Sequence, residues 1–86
     1  MKTEEMEALL KPYFRYDDHI AMAKEIANSC RSIAKSPDGR SWLPEFFAGT
    51  HVTKACETAW DIHTLTRETV RFVFNGTEIV MEDPLP

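Results

Sequence analysis

Glycine is scarce in this chain. Three glycines in 86 residues leave no Gly-rich loop to cradle a phosphate, and none of them opens a helix after a strand. Cysteine is scarcer: Cys30 and Cys56 are too few for the disulfide framework of a small secreted domain. Both fall on apolar helical spacings, where a free thiol behaves as a small hydrophobe. No apolar run approaches the ~18 residues needed to span a bilayer. The N-terminal Met1-Lys2-Thr3-Glu4-Glu5 is acidic with no apolar run behind it, unlike a secretory signal. These features predict a chain working in a reducing cytoplasm, away from the membrane. In that setting Asn75-Gly76-Thr77 is turn chemistry rather than a glycosylation site.

What is present is ordinary for a globular domain: 43% apolar and 28% charged residues, with a net charge of −4. Residues 1–86 are expected to form one domain, large enough for a core and too small for two. The acidic balance disfavours a dedicated DNA binder. Charge is unevenly spread. Residues 11–40 carry six basic and four acidic side chains, whereas 41–86 carry three basic and seven acidic.

Periodicity predicts an α+β domain. A short helix is expected from Thr3 to about Leu10, capped by Thr3, favoured by Glu4, Glu5 and Glu7, and stopped by Pro12. Asp17 caps a longer helix over about 17–35, whose stripe is Ile20, Ala23, Ile26, Ala27, Cys30, Ile33 and Ala34. Ser36-Pro37-Asp38-Gly39 then stops it. A single helical turn is expected near Leu43–Ala48, with Pro44 in its first turn and Gly49 closing it. Thr50 caps a helix over about 50–67 with an inner face of Val52, Ala55, Cys56, Ala59, Ile62 and Thr66. Its small residues are expected to meet those of the second helix in an antiparallel pair.

From residue 69 the period changes to two. The segments 69–74 and 77–82 flank Asn75-Gly76, a strong hairpin signal. The expectation is a C-terminal two-stranded antiparallel β-hairpin over about 69–82, with Val70, Phe72, Phe74, Thr77, Ile79 and Met81 on one face. Arg71, Val73, Glu78 and Val80 decorate the other. A lone ribbon is marginal in water, so it must lie on the helices or gain strands from a second copy, and this half-apolar face predicts self-association, as a dimer through the hairpin.

The chemistry-bearing residues do not assemble into a motif. His19, His51, His63, Cys30 and Cys56 lack Cys-x-x-Cys or His-x3-5-His spacing, so no metal site is expected. Cys56 and His63 lie seven residues apart, ~10 Å along a helix axis, too far for a nucleophile pair. Asp17-Asp18 at a helix start is capping chemistry, and Asp38-Gly39 lacks the acidic spacing of a calcium loop. No catalytic residues and no cofactor are expected.

Two charged stripes are expected to steer a partner: Lys24, Arg31 and Lys35 on the second helix, and Glu57, Asp61 and Glu68 on the third. Tyr13, Phe14, Arg15, Tyr16, Arg40, Trp42, Phe46 and Phe47 bracket the second helix. They combine aromatics with Arg, the composition enriched at binding hot spots. They are the expected partner-binding residues. The leading reading is therefore a non-catalytic protein-binding module, a regulator or inhibitor of a larger partner. In its general look it is similar to accessory proteins of phages and mobile elements, a likeness carried by no residue motif. The alternative is a nucleotide or nucleic-acid binder using Tyr16, Arg15, Arg31, Lys35 and Arg40, with an oligomer interface as the place for its pocket. A helix followed by a hairpin also suggests a winged helix, but that helix is acidic where a recognition helix is basic.

Overall fold

The computed structural model describes residues 1–83. It contains helices α1 (Thr3–Leu10), α2 (Asp18–Ser29) and α3 (Val52–Thr66), a 3-10 turn over Lys11–Tyr13, and strands β1 (Cys30–Lys35), β2 (Ser41–Phe46), β3 (Thr69–Phe74) and β4 (Thr77–Met81). The strands form one sheet in the order β1-β2-β3-β4. The β1–β2 and β3–β4 pairs are antiparallel, while β2 and β3 are parallel and joined through α3.

This overturns the expected two-helix body with a two-stranded ribbon. The second helix ends at Ser29, and residues 30–35 and 41–46 are strands. Two local causes explain the difference. Asn28 and Ser29 are weak helix formers that compete for the backbone with their own side chains, and Cys30 turns to extended geometry at φ −130°, ψ 149°. In addition, a β-bulge lies between Cys30 and Ser32. A bulge inserts one residue and breaks the alternation of two, so the buried Cys30 and Ile33 are three apart within a strand. That spacing reads as a helical i,i+3 pair. Ser36-Pro37-Asp38-Gly39 is the loop of the β1–β2 hairpin, tied by Gly39 N–H to Ser36 O at 2.8 Å and Ser36 N–H to Ser41 O at 2.9 Å.

The expected helical turn over Leu43–Ala48 is strand β2. Pro44 lacks an N–H and is disfavoured in a central strand. It is tolerated because β2–β3 pairing ends at Trp42–Val70, two residues earlier. The 69–82 segment pairs Val70 with Met81, Phe72 with Ile79 and Phe74 with Thr77 around Asn75 (φ 51°) and Gly76 (φ 80°). It is half of a four-stranded mixed sheet, with its parallel neighbour β2 supplying the support a lone ribbon lacks.

The helices cover one sheet face. Ile33, Trp42, Val70 and Phe72 point into a core shared with Met6, Leu10, Ala23, Ile26, Ala55, Ala59, Ile62 and Leu65. Ala23, Ala55 and Ala59 are fully buried where α2 meets α3. Because α3 packs on both α2 and the sheet, its buried arc is wider than one stripe and takes in Thr58, His63 and Leu65, while Val52 at its start is exposed. The other sheet face carries no helix. No helix among the described residues is long and apolar enough to cross a membrane.

Candidate interface at the end of the sheet

The parallel pair β2–β3 creates a concavity that gathers exposed apolar side chains. Strand β2 ends at Phe46, and the chain runs through Phe47–His51 into the first turn of α3. Strand β3 ends beside it at Phe74 and the Asn75 turn. Between them lies an open groove of about 810 Å³, lined by Phe46, Phe47, His51, Val52, Val73 and Phe74 among others. Phe46 and Phe74 are half-buried and pack against the core, with Phe46 edge-on to Phe72 at 5.1 Å between ring centroids. Phe47, Val52 and Val73 are 49%, 45% and 68% exposed, so large apolar surface faces water around the groove. Thr50 Oγ1 donates to Phe47 O at 2.6 Å and fixes the loop that holds Phe47.

The expected partner-binding residues are divided by the fold. Phe46 and Phe47 belong to the groove. Trp42 is only 2% exposed and belongs to the core. Tyr13 and Phe14 are half-buried against that core. Arg15 and Tyr16 precede α2, with the Tyr16 ring edge-on to His19 at 5.1 Å, and Arg40 is exposed in the β1–β2 loop.

Trp42 and Tyr13 instead build a polar clip with two residues expected to steer a partner. Lys35 Nζ lies 2.6 Å from Glu68 Oε2. Trp42 Nε1 donates to Glu68 Oε1 at 3.1 Å. The Tyr13 phenol helps to hold the charge on this carboxylate, and Lys35 Nζ sits 4.7 Å from the Trp42 ring centroid. Burial disfavours the Glu68 charge, but the bonds from Lys35, Tyr13 and Trp42 outweigh it and hold the carboxyl below its usual range. Burial likewise opposes the Lys35 charge, and Glu68 and Tyr13 outweigh it, raising the ammonium pKa. Burial, then Glu68, pushes the Tyr13 phenol up.

The two stripes do not form. Arg31 lies in β1, 3.4 Å from Glu45, and Lys35 is taken by Glu68, which lies beyond the end of α3. Lys24 and Glu57 remain exposed on their helices. Asp61 is half-buried; burial, then neighbouring Glu25, raises its pKa.

The thiols and the buried histidine hold structural positions. Burial pushes the Cys30 thiol up to about 12, far from a reactive thiolate, and its Sγ donates to Ile26 O at 3.2 Å. His63 is 4% exposed, with Nδ1 2.8 Å from Glu68 O and Nε2 3.0 Å from Asp83 Oδ1. It straps the segment after β4 to α3. Among the described residues no group of three His, Cys, Asp or Glu side chains is placed to hold a metal ion.

The groove residues that the sequence does not mark as a site are Val52 and Phe74, while Val73 is expected in a self-association face rather than here. Val52 reads as inner-face helix and Phe74 as hairpin core, and only the placement of β2 beside β3 brings them together. No protein-family model matches the chain, and no curated protein or solved structure matches it either.

Proposed function

We propose that this chain is a non-catalytic protein-binding module, a regulator of a larger protein, and that it takes its partner at the groove between the ends of β2 and β3. The observation that carries the reading is Phe47: half-exposed on a loop tied down at Thr50, above Phe46 and Phe74. Aromatic side chains fixed beside an apolar floor are the usual anchors of an interface. The net charge of −4 favours approach by a basic partner. Engagement of the half-buried Lys35 by Glu68 weakens the nucleotide-binding alternative, which needs that cation free.

The test is affinity capture from an extract of the source organism, run in parallel with Phe47→Asp and Val52→Asp. Both side chains are exposed, so the variants keep the wild-type melting temperature. Loss of a hot-spot contact worth ~2 kcal/mol lowers retention of the partner ~30-fold. A partner retained equally by both variants overturns the groove as its site.

A further inference from the structure

A second surface lies on the sheet face that no helix covers. On β3 and β4 the outward side chains include Arg71, Val73, Glu78 and Val80, with Arg71 opposite Val80 and Val73 opposite Glu78. They form a checkerboard: the valines occupy one diagonal, and Arg71 and Glu78 occupy the other, 3.1 Å apart between Nη2 and Oε1. Val73 is 68% and Val80 39% exposed, and Leu43 on β2 extends the apolar area at 38%.

This arrangement is complementary to itself about one particular axis. A twofold laid along the Val73–Val80 diagonal sets each valine against its own copy and exchanges the other two positions, so Arg71 meets Glu78 of the second copy, and Glu78 meets its Arg71. Axes along the strands, or across them, set charge against valine instead. With strands ~4.8 Å apart and ~6.7 Å between successive outward residues, the diagonal inclines ~35° to the strands. The two sheets then cross at ~70°, near the orthogonal class of sheet packing. The geometry points to a second copy of this chain as the occupant of the open face: an isologous dimer with two buried valine contacts ringed by four alternating charges. The contact is independent of the groove except at Val73, which borders both.

Sedimentation equilibrium from micromolar to several hundred micromolar tests it. The wild-type chain approaches twice its 9.9 kDa mass with rising concentration. Arg71→Glu and Glu78→Arg each set like charges together twice and sediment as monomers. Mixed in equal amounts, these two variants form a 1:1 dimer, because both exchanged contacts become attractive, and the double variant R71E/E78R dimerises alone. Val73→Asp is monomeric, whereas Phe47→Asp retains the wild-type mass profile, which separates this dimer from the groove. Melting curves confirm that each variant is folded. A wild-type monomer throughout, single variants that still dimerise, or single variants that stay apart when mixed each overturn the proposal. All three outcomes leave the groove untouched, since its test is the capture experiment.

Discussion

The indole Nε1 of Trp42 donates to Glu68 Oε1 across 3.1 Å, joining the middle of the sheet to the turn that leads from α3 into β3. Lys35 approaches the other carboxylate oxygen from β1, so one acidic side chain ties three elements together. Glu68→Gln keeps the shape and removes the charge. It is expected to cost about 1–2 kcal/mol at pH 7, the low end for hydrogen bonds to a charged group because the Glu68 side chain stays 28% exposed, and thermal or urea unfolding measures it.

The same carboxylate sets a pH dependence. Its pKa is lower in the folded chain than in the unfolded one. Its stabilisation is therefore complete above the unfolded value of about 4.3 and is lost as pH falls through the folded value. Melting temperatures recorded from pH 7 to pH 2 should drop more steeply for the wild type than for Glu68→Gln below about pH 4.3. Parallel acid limbs contradict this assignment.

Asp61 shows the opposite sign. Its pKa is raised in the folded chain by burial and by Glu25, so the charged form opposes folding at neutral pH, and stability lost as pH rises through the folded value is regained on acidification. Asp61→Asn is expected to raise the melting temperature at pH 7 and to have no effect near pH 2, where the native carboxyl is protonated as well.

Arg67 ends α3 in the left-handed region at φ 62°, with its N–H on His63 O at 2.7 Å. Glycine adopts this geometry without the steric cost of a Cβ. Since the Arg67 side chain is exposed and has no ion-pair partner among the described residues, Arg67→Gly should stabilise the chain by about 0.5 kcal/mol, the strain relieved being partly offset by a freer unfolded backbone. Denaturant midpoints at constant slope read the change.

Cys30 and Cys56 should separate in a thiol-labelling experiment. Cys30 is 1% exposed, with its thiol pushed up to about 12, whereas Cys56 is half-buried at the edge of the core. Native protein at pH 8 should take up one equivalent of a small disulfide reagent, at Cys56, and a second only on unfolding. Rapid labelling of both in the native state contradicts the buried position of Cys30.

The readable parts of the fold were those where local chemistry and tertiary context agree. The Asn75-Gly76 turn, with both residues at positive φ, sets its own register. The acidic start and the Pro12 stop bound α1, and in α3 between its ends the apolar period matches what is buried. Residues 30–46 were misread because local signals pointed the wrong way: a bulge gave Cys30 and Ile33 helical spacing, Pro44 lay inside a central strand, and a hairpin loop looked like a helix stop. The site followed the fold. Phe46 and Phe47 stood out by composition, but Trp42 and Lys35 were claimed by Glu68, 26 and 33 residues away in sequence, a pairing no local pattern announces.

Clip and groove both rest on residues 30–35 and 41–46 being paired strands, since a helix through Lys35 would carry Lys35 away from Glu68 and leave β2 without its outer neighbour. Nuclear Overhauser contacts of the folded chain decide this directly. Cross-strand contacts from Ile33 to Pro44 and from Lys35 to Trp42, without helical i,i+3 contacts beyond Cys30, are the predicted result. Helical contacts running unbroken through residues 29–35 would contradict it.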